Sequence, residues 1–153
     1  MTYLQKVVEV ALSQLGVEEK PKGTNWGPQV SEYLKSVGIT FPASWCMAFV
    51  YWVHEKAAKE TGVSNMMAKT GGVLNQFNKR KENFAITNPE PGDVFIMDYG
   101  KGLGHTGIVE SVEGEFVHTI EGNTNDEGSR EGYEVCKRKR PIAKMKGFLR
   151  FIP

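Results

Sequence analysis

The sequence predicts an α+β fold, with N-terminal helices packed on an antiparallel β-sheet of about five strands. Apolar residues recur at helical intervals through the first half. Beyond Pro89 the pattern changes to short β-rich runs separated by Gly, Asn and Asp. Helices followed by strands, rather than alternating with them, are the grammar of segregated layers. The 153 residues, 40% hydrophobic and 24% charged, suit one compact domain spanning 1–153.

Thr2–Leu15 spaces Leu4, Val7, Val8, Ala11, Leu12 and Leu15 along one face, with polar residues between them, and reads as an amphipathic helix. A loop over 20–25 leads to a second helix, opened by Pro28 and stopped at Gly38, whose apolar face is Val30, Tyr33, Leu34 and Val37. From Trp45 the chain is apolar nearly all round until Glu55, and Gly62 follows as a stop; this is the expected buried central helix. Thr70 is placed to cap a fourth helix carrying Val73, Leu74 and Phe77. The expected strands are 93–97, 105–112, 115–121, 133–139 and 147–152. Glu113-Gly114 is a tight-turn signal, so 105–112 and 115–121 should be direct neighbours.

Nineteen basic against eighteen acidic side chains leave a net charge of +1, without the field that gathers nucleic acid or anionic lipid. No stretch holds the roughly 18 apolar residues of a membrane span, so no membrane insertion is expected. Glu9 interrupts the first apolar stretch, and nothing reads as a secretory signal. The expectation is synthesis in the cytoplasm, with any action outside it following release by a phage or export through a non-classical or secretion-system route. Cys46 and Cys136 make no disulfide framework and lack the Cys/His spacing of a zinc site. A chain made in a reducing compartment keeps both thiols free, although a Cys46–Cys136 bridge is the structural alternative.

Cysteine hydrolases need a thiolate, a histidine that accepts and returns a proton, and a polar group that holds the imidazole. Cys46 stands at the start of the central helix, where unpaired N–H groups and the positive dipole end favour an anion. Taken alone, such a cysteine is more often simply a small buried apolar residue. Three histidines compete as its partner. His54 lies two turns along the same helix, roughly 12 Å away, and is a surface or helix-packing residue. His118 sits inside a strand on the face of Phe116 and Ile120, a buried or edge-packed position. His105 opens its strand after the glycine-rich 99–104 segment, where a substrate has room to approach. Strand parity puts Glu121 on the face opposite His118, free to look toward His105 and fix its tautomer. Asn123, two residues on, can supplement or replace it.

Around these residues the chain resembles the CHAP family, cysteine- and histidine-dependent amidohydrolases and peptidases that cut bacterial peptidoglycan. The matching text is Ser44-Trp45-Cys46-Met47-Ala48-Phe49-Val50, Pro91-Gly92-Asp93-Val94, Gly104-His105-Thr106-Gly107-Ile108-Val109 and Ile120-Glu121-Gly122-Asn123-Thr124. It covers about residues 44–125, and 10–17 is similar to the family's leading helix. The resemblance implies a papain-like core, catalysis by Cys46, His105, Glu121 and Asn123, an oxyanion hole using the backbone N–H of Cys46, and peptidoglycan amides as substrate. Some relatives hold calcium in an Asp-x-Asp loop near the nucleophile. No such loop precedes Cys46, so neither metal nor cofactor is expected.

Asn25, Trp26 and Trp45 are placed to supply polar and aromatic surface along a substrate groove, while Trp52 belongs to the core. The run Lys137-Arg138-Lys139-Arg140, with Lys144 and Lys146, reads as a solvated strand edge that resists aggregation, with attraction to an anionic wall as the alternative. Asn125-Asp126-Glu127-Gly128 reads as a turn. The glycine-rich segment precedes a strand and lacks a following Lys-Ser/Thr, which argues against nucleotide binding. The expected partner is bacterial peptidoglycan, with a protein inhibitor besides if the chain is an antibacterial effector. Two rivals stand beside the wall-hydrolase reading: a cysteine protease or amidase on a non-wall substrate, and a non-catalytic wall-binding module.

Overall fold

The computed structural model describes residues 1–123 and 132–153, the side chain of Asn123 excepted. Thr2 starts α1 (Tyr3–Ser13) through a capping box: its hydroxyl accepts the Gln5 N–H at 3.1 Å and the Gln5 side chain accepts the Thr2 N–H at 2.8 Å. Helix α2 (Pro28–Ser36) has proline in its first turn, and its buried Tyr33 gathers Trp45, Phe49 and Trp52 at ring distances of 5.7, 5.2 and 5.1 Å. Helix α3 (Cys46–Thr61) buries ten of its residues and ends on Gly62, whose left-handed backbone (φ 73°) is conformationally cheap only for glycine. Trp52, expected in the core, is only half-buried and packs against the core's edge.

Helix α4 (Val73–Phe84) begins on Gly72 rather than on Thr70. The Thr70 hydroxyl instead accepts the Gly72 N–H at 3.1 Å and the Asn75 amide at 2.9 Å. It shapes the approach to the helix, which the Gly71-Gly72 pair delays by two residues.

Among the described residues the sheet has six strands, not about five. Strands β1 (Ala85–Ile86), β2 (Val94–Gly100), β3 (Leu103–Glu113), β4 (Phe116–Asn123), β5 (Glu134–Pro141) and β6 (Gly147–Leu149) lie in the order β1-β6-β2-β3-β4-β5, and every pair is antiparallel. The unexpected strand, β1, has two residues, too few to display the alternation by which strands are read. The glycine-rich segment is shorter as a loop than expected. Strands β2 and β3 pair out to Gly100 and Leu103, leaving Lys101-Gly102, both at positive φ, as a two-residue turn. Strands β3 and β4 are direct neighbours across Gly114, in keeping with the turn signal.

Strand alternation divides the sheet into two faces. Val94, Ile96, Ile108, Ile120, Val135 and Leu149 join the main core with the helices, while Phe95, Met97, Val109, Val117 and Phe148 form a second cluster. After α1, the segment 17–19 adds itself to the outer edge of β5. Val135 N–H donates to Val17 O, and Glu19 N–H to Tyr133 O, both at 2.8 Å. At the other end, Arg150 grips buried Asp93 with two bonds of 2.9 Å, tying the segment after β6 to the start of β2.

Helix α3 meets β4 where Gly122 has no side chain. A Cβ there would stand 2.8 Å from both Phe49 Cβ and Trp45 Cζ3. Gly122→Ala is therefore expected to destabilise the protein by about 1–3 kcal/mol through overpacking, read as a lower urea midpoint with an unchanged m-value.

Candidate active site

Cys46 opens α3 and is 6% exposed; His105, two residues into β3, is 3% exposed. The two side chains face one another, close enough for the thiol to act on the charge of the ring. On its other side the His105 ring meets Glu121, Nε2 to Oε1, at 2.7 Å. That contact leaves Nδ1 as the ring nitrogen for the sulfur. Phe95 packs against His105 with ring centroids 5.9 Å apart.

Glu121 has no exposed surface. Besides His105, its carboxylate accepts Arg140 Nε at 2.6 Å and Nη2 at 2.7 Å, and the Thr119 hydroxyl at 2.6 Å. Room for it comes from Gly107: a Cβ at that position would lie 2.7 Å from Glu121 Cγ and from Phe95 Cε2. Burial opposes the negative charge on Glu121, but hydrogen bonds and charge from Arg140 and His105 outweigh it and bring the carboxyl down to about 2. Burial likewise opposes the charged ring of His105, yet its interactions with Cys46 and Glu121 lift it to about 9. Thiol, imidazole and carboxylate thus form a chain whose middle member is charged at neutral pH and can take up or give back a proton.

The remaining histidines lie elsewhere. His54 is fully buried, bonded through Nδ1 to the Tyr3 hydroxyl at 2.7 Å and set against Phe151, and burial drives its pKa down to about 3. Of the two roles foreseen for it, helix packing is the one it has. His118 is not buried: its side chain is 37% exposed and bonds Glu113 at 2.7 Å. His118 pairs with Ser111 near the turn end of the β3–β4 hairpin, where neighbouring residues leave its ring partly open to solvent.

Trp45 corrects another expectation. It is fully buried and stacked on Tyr33 rather than lining a groove, and its indole N–H donates to Glu19 at 2.7 Å. Glu19, itself 2% exposed, also accepts the Gly23 N–H at 2.9 Å. Trp45 therefore fixes the entry to α3 from behind. Asn25 and Trp26 are half-buried in the loop that Glu19 holds.

Arg140 departs from the solvated edge expected of its run: it is bound to Glu121. Lys137 and Lys139 do face solvent, paired with Glu110 and Glu113. The alternation Lys-Arg-Lys-Arg carried the signal, since arginine occupies the two positions that share a face with Glu121 through the β4–β5 register. Both cysteines are free thiols. The backbone of Asn123 ends β4 opposite Glu134; its side chain and the turn read at 125–128 lie outside the described residues. Among the described residues, no three His, Cys, Asp or Glu side chains gather where they could hold a metal ion.

A family model described as the CHAP domain matches residues 37–123. No curated protein matches the chain. Among solved structures, Ly7917 superposes with a TM-score of 0.56 at 16% identity, over 98% of this chain and 62% of that one. Ly7917 with the hydrolyzing product of MDP gives 0.56 and 16% over 97% and 62%. The wild-type endolysin LysIME-EF1 gives 0.52 and 15% over 98% and 64%. At such identities the likeness is one of fold, and this chain spans less than two thirds of the length of either protein.

The paired charges set a pH window for stability. Glu121 falls in the folded state from an ordinary 4.5 to about 2, so its contribution is present above pH 4.5 and lost as pH falls toward 2. His105 rises from 6.5 to about 9, so its contribution is full below pH 6.5 and lost as pH rises through 9. The gap in urea midpoint between wild type and His105→Gln should be widest from pH 4.5 to 6.5 and should narrow on both sides. A gap independent of pH would show that the ring contributes packing alone.

Proposed function

The chain belongs to the CHAP domain family, and from that premise we propose that it is a cysteine amidohydrolase or peptidase of bacterial peptidoglycan. The observation that carries the reading is the continuous chain from Cys46 through His105 to the buried carboxylate of Glu121. A binding-only module has no use for a thiol facing a charged imidazole. The like fold of an endolysin, and of a protein crystallised with the hydrolyzing product of MDP, supports wall material as the substrate. We read residues 1–153 as one catalytic domain.

In this reading the Cys46 thiolate attacks an amide carbonyl carbon, forming a C–S bond, while the backbone N–H of Cys46 faces the developing oxyanion. His105, protonated in the resting pair, gives its proton to the leaving nitrogen as the C–N bond breaks. Water then attacks the thioester, losing a proton to His105; the C–S bond breaks and the acid leaves. Glu121 holds the ring through Nε2 at both stages and favours its charged form. Asn123 is kept as a supplementary orienting group on the strength of the family motif. The candidate bonds are the amide joining sugar to peptide and those within stem peptides and cross-bridges.

Purified sacculi should release soluble fragments, and mass spectrometry of the new amino termini and sugar-bearing ends should identify the bond. Intact sacculi after prolonged incubation with folded protein would count against the wall reading, and cleavage confined to soluble peptides would favour the non-wall protease. Cys46→Ala is expected to abolish turnover without loss of fold. Glu121→Gln should lower kcat by about 100-fold or more with little change in KM, because general acid–base groups contribute roughly 10²–10⁴. His118→Gln, with its ring on the far side of β4, should stay within about twofold of wild type. A silent Glu121→Gln beside a dead His118→Gln would sink the assignment.

A further inference from the structure

We propose that Arg140 is a positioning residue, whose guanidinium clamps Glu121 so that this buried carboxylate stays ionised and aimed at His105 throughout turnover. The proposal deepens the reading of Cys46, His105 and Glu121 as a reacting unit and rests on it.

The argument begins with the carboxylate's isolation. Glu121 has no exposed surface, and a carboxylate without water or counter-charge neutralises itself by binding a proton. Two cations are in contact with it, His105 at 2.7 Å and Arg140 at 2.6 and 2.7 Å. They are not equivalent. The ring of a general acid–base histidine loses its charge during part of each cycle, and during that part its bond to Glu121 brings no counter-charge. A guanidinium keeps its charge at any working pH, and its planar fork matches both carboxylate oxygens. Arg140 is thus the permanent counter-charge and His105 the intermittent one.

Geometry supports the same division. Arg140 occupies both oxygens in a bidentate pair, and Thr119 takes a further site on Oε2 at 2.6 Å. These contacts hold the carboxylate's plane and leave Oε1 presented to the ring. Phe95 underlies the arrangement, with the guanidinium carbon 5.8 Å from its centroid and the His105 ring 5.9 Å away. The titratable and charged groups around the pair are His105 from β3, Cys46 from α3, Tyr99 from β2, and Cys136 with Arg138 on β5. None of the others bonds both oxygens of Glu121 among the described contacts.

The test reads His105 directly in the full-length resting protein, by NMR titration of its imidazole nitrogens, and needs no substrate. In Arg140→Met the only cation left on Glu121 among the described residues is the ring, so deprotonating the ring would strand the carboxylate. The His105 midpoint should rise by about one unit, and Arg140→Lys should return it most of the way. On wall substrate, Arg140→Met should lose about 10- to 100-fold in kcat with KM within about threefold. A folded Arg140→Met with an unmoved midpoint would overturn the proposal, as would an Arg140→Lys that behaves like Met. If Arg140→Met does not fold, the Glu121→Gln/Arg140→Met pair, which removes both charges together, should fold; failure of that double variant would make Arg140 a staple between strands and sink the idea. A shifted midpoint in a protein whose wild type leaves the wall intact would refute the peptidoglycan reading while upholding the hold of Arg140 on Glu121.

Discussion

The ionised carboxylate of Glu121 has no surface open to solvent. The effective penalty for burying such a charge is several kcal/mol, and removing one partner of a buried pair commonly costs about 3–5 kcal/mol. The surrounding elements are arranged to meet that cost. Strand β3 contributes His105 and the missing side chain of Gly107, β4 the Thr119 hydroxyl, and β5 the Arg140 fork. Three adjacent strands must therefore hold register together for the charge to be tolerated. A one-residue slip of β4 would turn Glu121 to the opposite face and leave Arg140 without its anion.

The same device recurs at lower stakes where Arg150 grips Asp93. Burial there prevails over the arginine and raises the Asp93 carboxyl, whereas at Glu121 two cations reverse the outcome. The Glu90 carboxylate beside Asp93 also works against Arg150 there, whereas the ring of His105 adds to Arg140 and so belongs to the electrostatics of Glu121 as well as to its chemistry. One Arg–carboxylate clamp joins the chain's final segment to β2; the other stands beside the thiol.

Much of this arrangement was legible in the residues. Helices α1 to α3 follow from apolar spacing and from Pro28, Gly38 and Gly62, all strong local signals. Period-two alternation separates Glu121 from His118, but Glu121 shares a face with His105 only because the β3–β4 register shifts between Val109 and Ser111, a bulge that alternation alone does not reveal. What escaped was non-local. Trp45 looks like surface aromatic in a loop-to-helix junction, and only the buried Glu19, 26 residues away, shows why its indole can be fully enclosed. Arg140 looks like one of four solvated cations until β5 is laid against β4. Strand β1 is too short to have a pattern, and Thr70 is a good capping residue overruled by two glycines that follow it.

The bridge made by Glu19 has a consequence for how the protein opens. Its backbone is paired to Tyr133 beside β5, and its side chain holds both the Gly23 amide and the indole next to Cys46. Three regions distant in sequence are thus fastened at one buried carboxyl group. Local opening free energies in proteins tend to be shared across such cooperative units. The amides of Gly23, Glu19 and the Trp45 indole should then exchange with solvent as a group, so that loosening the connector after α1 also loosens the seat of the nucleophile. A mutation in that connector would be felt at the thiol through protection rather than through contact.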